Sequence, residues 1–200
     1  MAEANDPNIG GILLAAGGSS RLGRPKQLLE FNGKTLIRRA AETLVDSKCD
    51  LIVVVLGAEI ERSSAELDGL DVAICINENW HSGMSSSIIA GLNSLLETEP
   101  TLDAVVITLC DQPHVTSDDI NDLIVTYINT ESPIVASQYG PTIGVPALFS
   151  SEMFTELFQL GGDKGARQLI RENIELAKTV LVEKAAIDID TLEDLGNLAH

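Results

Sequence analysis

Residues 11–16 read GILLAA and run directly into residues 17–26, which read GGSSRLGRPK. The first part is a short apolar run without polar alternation, which is typical of a strand covered on both faces. The second part contains three glycines and two serines, whose backbone N–H groups can approach a ligand closely. A buried strand that ends in such a loop predicts a ligand site beyond the end of the strand.

Four further apolar runs rich in valine and isoleucine predict four more buried strands, at residues 51–56, 72–76, 104–109 and 133–136. Between them, apolar residues recur at helical spacing. This spacing predicts amphipathic helices over residues 35–45, 85–96 and 120–128. The alternation of strands and helices predicts an α/β fold with three layers, in which helices cover both faces of a doubly wound, mostly parallel sheet.

The ends of two helices carry capping signals. Thr116 is followed three residues later by Asp119, and Thr191 is followed by Asp194, which predicts a last short helix. Residues 129–133 and 138–146 are interpreted as loops within one domain, which spans residues 1–200 with an ordered core at about 10–195.

The charge of the chain excludes several classes of function. Its 200 residues include 13 basic and 30 acidic side chains, for a net charge of −17. Such a chain repels phosphate backbones and anionic lipids, so we expect neither nucleic-acid nor membrane binding. The first eight residues, MAEANDPN, lack the features of a secretory signal, and the three cysteines form no disulfide or zinc pattern. We therefore expect a cytoplasmic protein.

Three of the 13 basic residues, Arg21, Arg24 and Lys26, lie within six positions of the first glycine-rich loop. This concentration favours an anionic ligand such as a polyphosphate. The alternative is a flexible loop whose cations offset the surrounding acidic residues. The order of residues matches neither the P-loop nor the dinucleotide-binding G-x-G-x-x-G pattern.

Carboxylates follow the fourth predicted strand and recur near the end of the chain. Asp111 comes directly after that strand, and Asp188 and Asp190 would share one face of an extended segment. One carboxylate from each segment could hold Mg²⁺ on a triphosphate. The alternative places Asp111 in a turn and Asp190 just before a helix cap.

Two more loops are chemically distinctive. Residues 77–87 offer hydroxyls at the start of a helix, and residues 161–167 form a second glycine-rich loop, for which the alternative is a helix-to-helix turn capped by Asp163. The histidines share no spacing typical of a metal site or a triad. Cys110 is predicted to be a small buried residue rather than a nucleophile.

Residues 14–26 resemble the L-A-A-G-x-S-x-R-x-G-x-P-K motif of the MobA-like nucleotidyltransferases, and the likeness extends over about residues 10–195. Within that family the chain is most similar to the molybdenum cofactor cytidylyltransferases. The further stretches that carry the likeness are residues 77–87 (NENWHSGMSSS), 111–113 (DQP), 162–167 (GDKGAR) and 188–194 (DIDTLED). The resemblance implies a Rossmann-like nucleotidyltransferase fold.

The resemblance also implies roles for particular residues. Lys26, Arg21 and Asp111 would be catalytic, and Asp111 and Asp190 would hold Mg²⁺. The acceptor would meet Ser85, Ser86, Gly162, Asp163 and Arg167, and also residues 144–146. The nucleotide site would comprise Leu14, Ala15, Ala16, Gly17, Gly18, Ser19, Arg21, Lys26, Asn77 and Gly83.

The reaction implied is the transfer of CMP from CTP to the terminal phosphate of molybdenum-bearing molybdopterin, with release of pyrophosphate and a molybdenum hydroxylase as the receiver of the product. Relatives commonly carry histidine where this chain has Val145, and glycine where it has Cys110. Two alternatives stay open. One is a related enzyme that uses GTP or ATP, or a sugar-phosphate acceptor, and the other is a non-catalytic module that delivers nucleotide or cofactor.

Overall fold

The structure is a computed structural model that describes residues 6–18 and 25–189. Three ranges, 1–5, 19–24 and 190–200, lie outside the described residues. Predictions that fall on them concern Ser19, Arg21, Arg24 and Asp190, together with the short helix expected after Thr191.

The described residues form one seven-stranded sheet and a separate two-stranded ribbon. The strands are β1 (Ile9–Ala15), β2 (Glu30–Phe31), β3 (Lys34–Thr35), β4 (Leu51–Leu56), β5 (Ala73–Ile76), β6 (Ala104–Leu109), β7 (Ile134–Tyr139), β8 (Thr142–Ser150) and β9 (Ala177–Leu181). The large sheet has the order β5-β4-β1-β6-β8-β7-β9, and β2 pairs with β3.

The large sheet is mostly parallel. Strand β1 runs parallel to both of its neighbours, β4 and β6, and β7 runs parallel to β9. Only β8, which pairs with β6 and β7, runs antiparallel to them. This topology confirms the predicted α/β fold class.

Helices cover both faces of the sheet. They are α1 (Leu36–Val45), α2 (Ile60–Ala65), α3 (Met84–Thr98), α4 (Ser117–Thr130), α5 (Phe154–Phe158) and α6 (Ala166–Glu172). Successive residues of a strand point to opposite faces, so Ile12 packs into the core under α3, α5 and α6, and Leu13 into the core under α1 and α4. Burial on both faces explains why the central strands β1, β4 and β6 read as continuous apolar runs, whereas the edge strand β5, also predicted to be buried, is largely exposed. No helix of the described residues is both long and apolar enough to cross a membrane.

The predicted helix starts agree with the structure. Thr35 caps α1, since its hydroxyl accepts the backbone N–H of Arg38 at 3.4 Å. The Asp119 carboxylate accepts the backbone N–H of Thr116 at 2.8 Å and its hydroxyl at 2.7 Å, as in a capping box.

The interpretation of residues 138–146 as a loop is wrong. Strand β7 continues to Tyr139 and β8 begins at Thr142, so only Gly140 and Pro141 form the turn of a β-hairpin. Gly144 and Pro146 interrupt the apolar pattern of β8, which hides the strand in the sequence. The register between β7 and β8 shifts at Ala136/Ser137, opposite this irregular part of the hairpin.

Strand β9 was not predicted. Its sequence, AKTVL, is short and half polar, and its backbone pairs with β7 at the edge of the sheet. An edge strand buries little apolar surface, so its periodicity is weak.

The order of the strands places the ligand crevice. From β1 the chain builds the sheet outward in one direction through β4 and β5, and it then returns to β6 on the other side of β1. The carboxyl ends of β1 and β6 therefore border a topological switch point, where open α/β sheets bind ligands.

Candidate active site

A cavity of about 560 Å³ lies beyond the carboxyl end of β1. We call it the Lys26 cavity. Five of the nucleotide-binding residues implied by the resemblance, together with Lys26, contribute to its wall. The lining residues are Leu14, Ala15, Ala16, Gly17, Lys26, Gln27, Trp80, His81, Gly83, Met84, Ser87, Leu109, Cys110, Asp111 and Asp163.

A second cavity, of about 650 Å³, lies on the other side of Asp111. We call it the Arg167 cavity. It contains Asp163 and Arg167, two of the predicted acceptor-binding residues, and also Val145 and Asp188. The rest of its wall is formed by Leu14, Met84, Ile107, Leu109, Asp111, Gln112, Tyr139, Gly140, Pro141, Thr142, Gly165, Ala166, Ala185 and Ala186.

The two cavities share part of their walls. The residues common to both are Leu14, Met84, Leu109, Asp111 and Asp163. Asp111, at the end of β6, is therefore reached from both sides. Two adjoining cavities with a carboxylate between them can hold two molecules whose reacting atoms meet at that carboxylate.

An ion pair stands at this junction. The Lys26 ammonium donates from Nζ to Asp111 Oδ2 at 2.6 Å, and the side chains are 14% and 19% exposed. Lys26 begins a short 3₁₀ turn, residues Lys26–Leu28, that follows Pro25. The pairing brings together two residues that are 85 positions apart, and it places one cation and one anion at the meeting point of the cavities.

The other oxygen of Asp111 supports a metal site. Oδ1 is buried and, within the described part of the chain, has no hydrogen-bond partner. A buried carboxylate oxygen without a donor is costly unless a ligand or an ion satisfies it. The described residues contain no group of three or more His, Cys, Asp or Glu side chains placed to hold an ion. Mg²⁺ commonly uses one or two carboxylates and completes its shell with phosphate oxygens and water, so Asp111 fits this ion.

The C-terminal segment passes beside Asp111. The Ile189 N–H donates to the Asp111 carbonyl oxygen at 3.0 Å, and Asp188 lines the Arg167 cavity. The predicted second metal ligand, Asp190, is the next residue and lies outside the described residues. Its role as a ligand stays a prediction.

The loop of residues 77–87 touches the second glycine-rich loop, residues 161–167, at Gly83 and Gly162. Gly83 has a φ of +104°, and a Cβ there would lie 2.3 Å from the Gly162 carbonyl oxygen. The same carbonyl accepts the Ser85 hydroxyl at 2.7 Å and the Ser85 N–H at 3.3 Å. Ser85 was predicted to bind the acceptor. In the structure it is buried, and its hydrogen bonds to Gly162 connect the two loops.

Asn77 and Ser86 also make contacts within the protein. The Asn77 amide donates to the hydroxyls of Ser86 at 2.9 Å and Ser87 at 3.0 Å, and its oxygen accepts the Asn79 N–H at 2.9 Å. Asn77 is 5% exposed and lines neither cavity, although it is a predicted nucleotide ligand. In the structure it orders the segment that leads from β5 into α3.

Trp80 lies in residues 77–87, which carry part of the family resemblance, but no role was predicted for it. Its ring packs so closely on two glycines that a Cβ would lie 2.7 Å from it at Gly18 and 2.6 Å at Gly57. The ring of His81 lies 3.6 Å from that of Trp80, and both side chains line the Lys26 cavity. Gly18 thus contacts the Trp80 ring, which forms part of the wall of the Lys26 cavity. Aromatic residues after a strand end are the signal that could have identified this wall.

Tyr139 belongs to the wall of the Arg167 cavity but was not predicted as a site residue. It is the last residue of β7 and faces the Arg167 cavity, but the predicted strand stopped at residue 136. Burial raises the pKa of the Tyr139 phenol, and the carboxylates of Asp188 and Asp111 add to the effect while Arg167 opposes it. Tyr139 therefore remains a neutral hydroxyl at physiological pH, able to donate a hydrogen bond.

Cys110 is a small buried residue, as predicted. Burial raises the pKa of its thiol from 9.0 to about 12, and the adjacent Asp111 carboxylate acts in the same direction. A thiol of this kind is not a nucleophile near neutral pH. His114 is held away from both cavities, where its ring packs edge-on against Phe31, and burial lowers its pKa.

Residues 11–179 match the MobA-like NTP transferase domain. The chain belongs to this family. This match confirms the resemblance drawn from the glycine-rich motif, and it makes the protein a nucleotidyltransferase of the MobA-like class. The junction of the two cavities lies within the matched residues.

Curated members of the family differ in their names. The chain is 32% identical, over 99% of its length and 100% of the relative, to "Nicotine blue oxidoreductase" of Paenarthrobacter nicotinovorans. It is 29% identical to "Purine catabolism protein PucB" of Bacillus subtilis, over 94% of this chain and 92% of the relative. It is 31% identical to a "Probable molybdenum cofactor guanylyltransferase" of Bacillus cytotoxicus, over 68% and 67% of the two chains.

Solved structures share the same fold. An Rv0371c homologue from Mycobacterium sp. strain JC1 has a TM-score of 0.79 at 31% identity, with 96% of each chain covered. Rv0371c of Mycobacterium tuberculosis in complex with manganese has a TM-score of 0.76 at 27% identity, over 96% of this chain and 97% of that one. A divalent metal is therefore present in a crystal structure of a relative.

Proposed function

We propose that this nucleotidyltransferase transfers CMP from CTP to the terminal phosphate of molybdenum-bearing molybdopterin, with Mg²⁺ as its metal. The products would be the cytosine dinucleotide form of the cofactor and pyrophosphate. The observation that carries the proposal is the Lys26–Asp111 pair between two adjoining cavities, because a transfer between two phosphates needs a cation and a metal ligand where they meet.

The Lys26 cavity is the proposed CTP site. Backbone at Gly17 and the small side chains of Ala15 and Ala16 leave room for a base and ribose, beside the ring of Trp80. Lys26 closes the side toward Asp111 and would neutralise the phosphates. The preference for CTP rests on resemblance alone, since Ala16 and Pro25 follow the cytidylyl pattern and not the guanylyl pattern.

The Arg167 cavity is the proposed acceptor site. Arg167 can bind an anionic group, and the Tyr139 hydroxyl and Thr142 add polar contacts. Val145 is only 9% exposed and lines this cavity where relatives commonly carry histidine. Because valine has no hydrogen-bonding side chain, polar contacts with the acceptor would come from Tyr139, Thr142 and Arg167. Of the other predicted acceptor residues, Asp163 faces both cavities, whereas Gly162 supports Gly83 and Ser85.

The chemistry follows from this placement. An oxygen of the acceptor phosphate attacks the α-phosphorus of CTP, the bond from that phosphorus to the bridging oxygen breaks, and pyrophosphate leaves with the electron pair. The attacking phosphate is already ionised, so the protein needs no covalent nucleophile. When bound at Asp111, and by resemblance at Asp190, Mg²⁺ supplies charge neutralisation on the triphosphate.

Lys26 would bind the phosphates at the same junction of the two cavities. An ammonium has three N–H donors, so Lys26 can hold Asp111 and a phosphate oxygen at once. Keeping the cation on its carboxylate before substrate binds reduces the reorganisation that the reaction requires. Positioning and charge stabilisation are then the main contributions of the protein to the rate.

Two alternatives are supported by the names of relatives, and a third stays open. The name of the Bacillus cytotoxicus relative favours GTP as the nucleotide, and the name of the Paenarthrobacter relative favours a redox activity. A delivery module that binds without catalysis would need Lys26 for binding but no metal ligand. Delivery of the product to a molybdenum hydroxylase in the cytoplasm, without nucleic-acid or membrane partners, stays a prediction.

One experiment tests the proposal. Pyrophosphate release is measured with Mg²⁺ and each of CTP, GTP and ATP, with and without molybdenum-loaded molybdopterin, and nicotinamide cofactor oxidation is followed in parallel. Because Trp80 is the single tryptophan of the chain and lines the Lys26 cavity, its fluorescence reports nucleotide binding separately.

Release with CTP and cofactor together, and not with either alone, is the expected result. Release with GTP or ATP instead would overturn the CTP assignment. Saturable quenching of Trp80 without any release would favour the delivery module.

A further inference from the structure

A groove of about 290 Å³ opens on the surface next to the Arg167 cavity. We call it the Arg171 groove. It lies between the turn of the β7–β8 hairpin and one face of α6. Its walls are Pro141, Thr142, Ile143, Arg167, Arg171 and Ile174.

The groove adjoins the Arg167 cavity. Pro141, Thr142 and Arg167 line both, so a ligand in the cavity lies next to the groove. The larger cavity reaches Asp111, whereas the groove opens toward Ile174, which is 43% exposed. The cavity and the groove thus lie side by side between Asp111 and the surface at Ile174.

The charge of the groove is opposite to that of the chain. Arg167 and Arg171 are four residues apart on α6, so their side chains lie on the same face of the helix. They are the charged residues of the groove wall, in a chain whose net charge is −17. Two guanidinium groups side by side favour an anion with several oxygens or other acceptors.

Among the described residues, the guanidinium groups of these two arginines make no hydrogen bond or ion pair. Among residues 6–18 and 25–189, Arg38 and Arg62 pair with glutamates and Arg39 donates to the Pro113 carbonyl. In the same part of the chain, the side chains of Arg167 and Arg171 make no hydrogen bond or ion pair, although Arg167 lies near enough to Tyr139 to affect its pKa. Their donors are therefore available to a ligand, while the other three arginines serve the fold.

We propose that the Arg171 groove binds a second anionic group of the acceptor, distinct from the phosphate that attacks the nucleotide. The inference rests on the proposed function and deepens it: the acceptor carries two separate anionic groups. In molybdopterin the second anionic group is the dithiolene that carries molybdenum. Acceptors with a single phosphate and a neutral remainder would leave the groove empty and would be poor substrates.

The first test uses steady-state kinetics with molybdenum-loaded molybdopterin. Arg171→Gln should raise the KM for the acceptor about tenfold, because a charge-assisted contact is lost, and leave the KM for the nucleotide unchanged. Arg62→Gln removes the same charge from an exposed, remote residue and is the matched control. An unchanged acceptor KM in Arg171→Gln, in an enzyme that otherwise transfers nucleotide, overturns the proposal and leaves the proposed function standing.

The second test does not depend on transfer. Inorganic phosphate is titrated into the isotopically labelled full chain, and the side-chain Nε–H signals of the arginines are followed by NMR, with assignments from Arg167→Gln and Arg171→Gln. The signals of Arg167 and Arg171 should shift along one binding curve while that of Arg62 stays constant. Absent shifts, or equal shifts at Arg62, would overturn the anion site. Shifts at the pair without any transfer to molybdopterin would instead count against the proposed function alone.

Discussion

The ammonium of Lys26 lies 2.6 Å from Oδ2 of Asp111, while Oδ1 of the same carboxylate is buried without a partner in the described part of the chain. One oxygen of Asp111 is thus satisfied by the protein, whereas the other would need an ion or a ligand to satisfy it. The pair stands between the Lys26 cavity and the Arg167 cavity. The predictions below test whether this junction performs the reaction and what holds it in place.

Replacing Asp111 by asparagine should lower turnover far more than nucleotide affinity. The amide keeps the shape but cannot supply the charge that a metal ligand provides in the transition state, so we expect kcat to fall at least about a hundredfold. The Kd of CTP, from Trp80 fluorescence, should change only a few fold. Asp122→Asn, an exposed carboxylate on α4, is the control. Unchanged turnover would remove Asp111 from the mechanism.

Lys26→Ala should weaken both nucleotide binding and turnover, because the ammonium contacts the phosphates in the ground state and in the transition state. Pyrophosphate release and Trp80 quenching by CTP measure the two effects on the same protein. Lys34→Ala removes an exposed ammonium that pairs with Glu42 and should leave both unchanged. If Lys26→Ala retained binding and turnover together, the phosphates would have to lie elsewhere.

Gly83→Ala should separate the loop of residues 77–87 from the second glycine-rich loop, residues 161–167. The new Cβ would need a backbone with φ of +104° and would lie 2.3 Å from the Gly162 carbonyl oxygen. We expect a loss of at least about 2 kcal/mol in the free energy of unfolding, measured in urea, together with weaker CTP binding.

The control for that variant is in the partner loop. A Cβ at Gly161 meets no atom within 4 Å, so Gly161→Ala should change stability by less than about 0.5 kcal/mol. Equal stability of the two variants would contradict the contact between the loops.

Stability should depend on pH through the buried thiols. The pKa of Cys110 is raised from 9.0 to about 12, so its thiol binds its proton more tightly in the folded protein than in the unfolded chain. Its contribution to stability is therefore complete below pH 9.0 and is lost as the pH rises from there toward 12. Cys49, whose pKa burial raises to about 11, behaves in the same way over a narrower range.

The measurement is urea unfolding at several pH values. Above pH 9.0, the free energy of unfolding of Cys110→Ala should fall less steeply than that of the wild type, by about 1.4 kcal/mol per pH unit, the value for one proton. Cys49→Ala should show the same difference up to about pH 11. Parallel curves for wild type and both variants would show that neither thiol titrates differently on folding.

The amino-acid sequence by itself determined the architecture, and it predicted which loops border the cavities. Continuous apolar runs such as residues 51–56 and 104–109 predicted buried parallel strands, because a strand covered on both faces has no polar side. Lys26 in the loop after β1 and Asp111 after β6 were predicted to form the site. They meet because the carboxyl ends of neighbouring parallel strands lie at one edge of the sheet.

Other features were decided only by tertiary structure. Strand β8 is hidden in the sequence by Gly144 and Pro146, and it is stabilised by its pairing with β6 and β7, so local pattern could not predict it. The same limit applies to Asn77 and Ser85. As polar residues in a loop beside a ligand site they resemble ligands, but their hydrogen bonds go to the protein. A polar side chain can satisfy its hydrogen bonds with protein or with ligand, and only the three-dimensional arrangement of its neighbours determines which.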